Sequence, residues 1–495
     1  MERAEGVYCV DGEGYWGVLV GMECRALTLG FLGGALMLSN GCAFRGAKSS
    51  TPEPIVAGQA GFNEAVDEYA EGIWEGVWWE TFGDARLSAL IEEGLRSNLD
   101  LRGSVARIEQ ANALVRQSGG RLFPSIELTA RDRYEWDDVP SAADDRDRAE
   151  STALGAMLDW ELDLWGRLRS DRRARKEQEE ATIEDWRDAR LLLSAAISES
   201  YFQAKELKRQ LEVVHEQIDI NESLLKLTSL RFGQGQSSIV DVLQQQEQLD
   251  ETKARVPSLE ANLGAIEYAL DALLGRVPGA RQHDFGSLLA EAPDMPEIGV
   301  PSTLLSRRPD LRATQRRVAA LDYRVAESIA DQLPRIRLGG GIDWRGDPKF
   351  GEDVRSAFAS LTAPLFAGGE RKAATRQRKA ILEEALADYS QQFIEAVAEV
   401  ETVLLRERKL EERLILVEGQ LENSRRLLTE ARNRFSQGLT DYLPVFTALN
   451  IVQNLEREIV GARRDILSAR VGLHRALGGP IEHPEPPLLV TSSNE

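Results

Sequence analysis

The chain repeats itself, and that constrains its fold more than any other feature. Asp100-Leu101-Arg102 recurs as Asp310-Leu311-Arg312, and Leu122-Phe123-Pro124-Ser125-Ile126 returns as Gln332-Leu333-Pro334-Arg335-Ile336, both at a shift of 210 residues. Arg231-Phe232-Gly233-Gln234-Gly235 returns as Arg434-Phe435-Ser436-Gln437-Gly438 at a shift of 203. Agreement at several points, with only a few residues of insertion, means one structural plan used twice.

Each copy reads helix, strand pair, very long helix, turn, helix. After Pro124, Ile126, Leu128 and Ala130 alternate with Glu127, Thr129 and Arg131; after Pro334, Ile336, Leu338, Gly340 and Ile342 alternate with Arg337 and Asp343. This period of two marks strands with one wet face. Second strands are expected over 153–164 and 356–366, the first of them after a charged loop at 137–152. The period then changes to seven: Ile197, Ala204, Leu211, Ile218, Leu225 and Phe232, with Leu207 and Val214 beside them. The second copy repeats it with Val400, Leu414, Leu421, Leu428 and Phe435 beside Val403, Leu410 and Val417, broken only by Glu407. A sustained heptad predicts helices that supercoil around neighbours. A run from about 167 to 232 would be roughly 100 Å long at 1.5 Å per residue.

Composition narrows the function. Apolar residues make up 42% of the 495 and aromatic ones 6%, which suits long helices. A net charge of −21 argues against nucleic acid and fits either a water-filled negative lumen or plain solubility. The three cysteines, Cys9, Cys24 and Cys42, fall in the first tenth of the chain, and the four histidines (His215, His283, His474, His483) are scattered, so no metal site is expected. Walker, His-Glu-x-x-His and nucleophile-elbow patterns are absent, and Glu179-Glu180 reads as a solvated helical face. A passive protein, not an enzyme, is expected. Gly12-Glu13-Gly14-Tyr15-Trp16-Gly17 matches the dinucleotide fingerprint but lacks a βαβ setting, so it reads as chance.

The apolar run 26–38 is too short to span a bilayer and has the layout of a secretory signal segment, preceded by Arg25 and ending at Gly41-Cys42. Cys42 after a small residue resembles a bacterial lipoprotein cleavage site, with Ser39 where leucine is usual. A diacylated Cys42 would anchor the chain in a membrane; cleavage without lipid is the alternative. Ala43 in place of Asp favours the outer membrane in this resemblance. The acidic leader 1–21 points to Met22 as the true start.

Four short amphipathic strands cannot close a barrel, and open edges are forbidden in hydrocarbon, so several chains must pool their strands. The family is then recognisable. Trp78-Trp79-Glu80-Thr81-Phe82-Gly83-Asp84-Ala85-Arg86-Leu87 with Leu99-Asp100-Leu101-Arg102 resembles the start of the outer membrane efflux protein fold, the TolC-like family. Trp160 to Arg167, Arg307 to Leu311, Pro364 to Gly369 and Leu477-Gly478-Gly479 resemble its further signatures, in order. The resemblance, closest to the lipid-anchored OprM and NodT-type branch, implies a mainly α fold with a small membrane β-barrel portion. Three chains would pool a twelve-stranded β-barrel above an α-barrel of long coiled-coil helices. It further implies a passive homotrimeric conduit in the outer membrane of a Gram-negative cell, reaching into the periplasm. A periplasmic adaptor and an inner-membrane antiporter pump would deliver drugs and toxic compounds to it.

The expected segments are a leader and signal peptide (1–41), a lipoprotein tail (42–80), two efflux repeats (81–295 and 296–480) and a C-terminal tail (481–495). No cofactor is expected beyond lipid on Cys42. By resemblance the two helical turns form the periplasmic tip, with Arg231, Gly235, Ser237, Asp241, Arg434, Gly438 and Thr440 as adaptor-docking candidates and Asp441 as the gate candidate. Two alternatives remain: the exit duct of a type I protein secretion system, and a structural coiled-coil protein without a pore.

Overall fold

The structure, a computed structural model, describes residues 62, 77–136, 148–279, 283–296, 298–346 and 350–479. The leader, the signal segment, Cys42, nearly all of the 42–80 tail and the 481–495 tail lie outside the described residues.

The first copy runs α1 (Ala85–Ser97), α2 (Leu99–Gly120), β1 (Ser125–Trp136), β2 (Arg148–Leu162), α3 (Arg167–Gly233) and α4 (Ile239–Leu273). The second runs α5 (Leu304–Arg307), α6 (Pro309–Ala330), β3 (Arg335–Gly346), β4 (Phe350–Thr362), α7 (Glu370–Ser436) and α8 (Leu443–Ala476). The helices α2 and α6 have 22 residues each, and α3 and α7 have 67 each. The shift falls from 210 to 203 between these pairs, chiefly because 137–147 separates the first two strands and only 347–349 the last two.

Local chemistry starts the short helices. Asp84 caps α1 by accepting from the amides of Arg86 and Leu87, and Asn98 caps α2 through Asp100 and Leu101. Pro309 opens α6, where its missing N–H would have been unpaired anyway.

The strands form one antiparallel sheet in the order β1-β2-β3-β4, so β2 and β3, one from each copy, pair and fuse the two hairpins. Leu128 lies opposite Ala156, and Ala156 opposite Ile342. Ile126, Leu128, Leu154, Leu158, Leu338 and Ile342 thus share an apolar face, while Glu127, Thr129, Arg131, Asp159, Arg337 and Asp343 share the polar one. Among the described residues, β1 and β4 are the open edges of the sheet. The second strands begin and end earlier than the sequence expectation, at 148–162 and 350–362, because hairpin pairing continues back to the turn whatever the local polarity.

Three apolar cores follow. One gathers Trp78, Tyr201, Phe202 and Leu274 around α3; a second gathers Leu311, Tyr389, Phe393 and Leu473 around α7. The third, near the far end of the α7–α8 hairpin, contains Leu421, Leu428, Phe435, Tyr442 and Leu449. The heptad residues Ile197, Ala204, Val214, Val400, Val417, Leu421, Leu428 and Phe435 are buried, whereas Phe232 is exposed.

One expectation is corrected, and one break in the pattern is explained. Glu179 is not on a solvated face: it is buried, accepting from Asn112 Nδ2 at 2.7 Å and from Lys176 Nζ at 2.9 Å, because α2 packs over that side of α3. Glu407 breaks the heptad yet lies inside it, accepting from Arg470 Nε at 2.8 Å. Desolvation pushes the Glu407 carboxyl above its usual range, against the pull of Arg470. The desolvation of both groups offsets much of the attraction in such a buried pair. No helix among the described residues is long and apolar enough to cross a membrane.

Candidate functional site at the paired helical turns

Both long helices stop the same way. Gly235 and Gly438 adopt φ of +75° and +72°, the left-handed region that side chains with a Cβ avoid. The amides of Gln236 and Leu439 then reach back to the carbonyls of Arg231 and Arg434 at 2.8 and 2.9 Å. Those of Gly235 and Gly438 reach Phe232 and Phe435 at 2.9 and 3.0 Å, completing a Schellman arrangement in each turn. The two turns line one open cleft, so most of the residues singled out in sequence come together in space.

Their roles within the cleft differ. Arg231 Nη1 donates to the Phe435 carbonyl at 3.1 Å, and its guanidinium stands 4.2 Å from the Phe435 ring centroid. Phe435 meets Tyr442 edge-on at 5.4 Å, and the buried Tyr442 hydroxyl donates to Gln245 Oε1. Burial holds that hydroxyl protonated far beyond its usual range. Arg231, Phe435, Tyr442 and Gln245 therefore clamp the end of one helical hairpin onto the other.

Asp241 is occupied by local structure: Oδ2 accepts from Ser237 Oγ at 2.6 Å and from the Ser238 amide at 2.9 Å, half of a capping box on α4. Ser238 supplies the other half. Arg434 is exposed and pairs with Glu430 at 2.9 Å, one turn back on its own helix. Thr440 does not cap the following helix: α8 begins at Leu443 after Tyr442, with no side-chain cap, and Pro444 in its first turn needs none for its own nitrogen. Asp441 is exposed, and its carboxylate makes no hydrogen bond or ion pair with the described residues.

Sequence reading missed the layer behind the clamp. Gln217, Asn221, Gln245, Gln248, Thr252 and Gln453 are all buried. Asn221 donates to Thr252 at 3.0 Å; Gln453 donates to Asn221 at 3.1 Å, and Gln248 to Gln453 at 3.2 Å. This amide network ties α3 and α4 to α8. Its signal was the polar interruption of apolar heptads, which reads equally as surface until the partner helix is known.

The architecture agrees with the comparisons. Residues 90–276 and 300–479 match the model of the outer membrane efflux protein family. The chain belongs to that family. It is 28% identical over 465 residues to the pyoverdine export outer membrane protein OpmQ of Pseudomonas aeruginosa, covering 90% of this chain and 96% of that one. It is 24% identical over 449 residues to the cation efflux system protein CusC of Escherichia coli K12, covering 86% and 93%. The solved outer-membrane channel OprN superposes with a TM-score of 0.78 at 28% identity, covering 87% of this chain and 99% of that one.

The protein is accordingly an outer-membrane channel subunit of a tripartite efflux system, a member of a family of trimers that work with a periplasmic adaptor and an inner-membrane pump. The family assignment displaces the poreless coiled-coil reading. It also gives the open β1 and β4 edges their partners, since neighbouring protomers must pair them to close a barrel.

Proposed function

We propose that the paired turns are the periplasmic tip where the adaptor docks and the conduit closes, with Asp441 as the gate residue. The observation that carries this reading is the contrast between two aspartates in one cleft. Asp241 is consumed by a capping box, whereas the exposed Asp441 carboxylate has no partner among the described residues. In a symmetric trimer Asp441 becomes a ring of three carboxylates, which attracts cations and can bond neighbouring helices. Gly235, Ser237, Gly438 and Thr440 shape the docking surface, and Arg231 holds the two hairpins in the closed arrangement. Asp441→Asn, assembled with its adaptor and pump, is expected to change single-channel conductance in bilayers and drug susceptibility in cells. No change in either measurement would remove Asp441 from the gate.

The cargo we propose is small organic molecules delivered by an adaptor and an inner-membrane antiporter. Relatives named for pyoverdine export and, in Pseudomonas putida, for toluene efflux support this class. We also propose a diacyl lipid on Cys42. Labelled palmitate should enter the wild-type protein and not Cys42→Ser; equal labelling of both would refute it.

A further inference from the structure

The polar face of the sheet carries an apolar exception. Across it, one register row reads Asp159, Gly339, Phe358, and the next reads Glu127, Met157, Gly341, Ser356. Side chains opposite one another in an antiparallel sheet point to the same side. Phe358 and Met157 therefore share the face of Glu127, Arg131, Arg337 and Asp343, which becomes the lumen when the apolar face meets lipid. Both are exposed, Phe358 at 41% and Met157 at 51%.

Phe358 does not stand up from its strand. A Cβ added at Gly339 would overlap Cζ, Cε1 and Cε2 of the Phe358 ring, so the ring reaches sideways and lies over the bare backbone of the neighbouring strand. Only glycine leaves room for it. Gly341 leaves the next row open as well, so no side chain separates Met157 from the ring across β3. The result is an aromatic face turned toward the lumen, with Asp159 next along its own register row and Met157 in the adjoining row of β2.

We propose that Phe358, laid flat over Gly339, is a lumenal stacking platform for planar aromatic cations, present three times in the trimeric barrel. An exposed ring face attracts cations and offset aromatic rings, and the Asp159 carboxylate in the same row favours positive charge. Met157 adds a polarizable edge contact. Gly339 is a positioning residue: it touches no cargo and keeps the ring down.

The test is ethidium binding to the purified full-length trimer in detergent, followed by fluorescence anisotropy, with assembly checked by light scattering. Wild type should bind saturably and Phe358→Ala about fivefold to tenfold more weakly, the range expected for losing one ring contact. Phe358→Trp should retain binding. Phe358→Leu, which keeps apolar bulk, should lose it and carries the test if the alanine variant fails to assemble. Gly339→Val should also weaken binding by lifting the ring, and Asp159→Asn should weaken ethidium but not the neutral probe pyrene. The site rests on the trimeric barrel, and the two ideas fail differently. A monomeric wild-type protein overturns both, whereas a trimer that binds ethidium equally well with and without the Phe358 ring overturns the platform alone.

Discussion

The two turns descend from one sequence and have taken opposite parts. At a shift of 203, Arg231 corresponds to Arg434, Phe232 to Phe435, Ser238 to Asp441, Ile239 to Tyr442 and Asp241 to Pro444. The arginine is clamped in the first copy and exposed in the second; the phenylalanine is exposed in the first and buried in the second. Ser238 caps its helix while Asp441 caps nothing, and Ile239 is exposed while Tyr442 is buried. Each copy has surrendered what the other keeps, because one clamp between two hairpins needs one donor and one ring. The asymmetry frees an acidic residue at the second turn without unravelling the first.

The contrast is easiest to break at Tyr442. Tyr442→Ala removes a buried ring and should destabilise the protein by about 3–5 kcal/mol, whereas Ile239→Ala at the equivalent position should fall below about 1 kcal/mol. Thermal unfolding of the detergent-solubilised protein compares them, and equal losses would erase the claimed division of roles.

A second comparison lies along the long helices, where Asp188 of α3 is partly buried and its counterpart Gln391 of α7 is exposed. Desolvation, with Asp310 nearby, pushes the Asp188 carboxyl up to about 6. The native state thus holds its proton longer than the unfolded chain, so this group's contribution falls as pH rises from about 4 to 6 and stays unfavourable above. Asp188→Asn should therefore stabilise the protein by about 1–2 kcal/mol at pH 7.5, after allowing for solvent screening, and by little at pH 4. A melting-temperature series against pH would show this, and a pH-independent difference would count against it.

Arg231→Ala should cost about 1–2 kcal/mol and speed amide exchange in both turns, while Arg434→Ala should stay within about 0.5 kcal/mol. Hydrogen exchange at the turn amides separates the two. The smallest expected effect is at the caps: Ser238→Ala should lose about 1 kcal/mol and Asp441→Ala no measurable stability, since only Ser238 holds an orphan amide.

Much of this was legible in the residues. Period two and period seven gave the strands and the long helices, and paired prolines and glycines gave their ends. Open strand edges in hydrocarbon by themselves require further copies of the chain. The candidate site was legible only as a place: the turn glycines marked it, but neither Asp241's capture by Ser237 nor Arg231's reach to Phe435 could be read there. Glu179 misled because a carboxylate on a helix is solvated or buried according to what packs on it.

The sequence alone determined the duplicated plan, the order of the elements, the glycine-stopped hairpins and the need for further copies. These depend on local conformational preference and on periodicity, which each segment carries within itself. Only the tertiary structure decided which arginine clamps, which aspartate is free, and that Phe358 rests over Gly339. Those outcomes depend on side chains brought together from up to about two hundred residues away, and no local pattern encodes that distance.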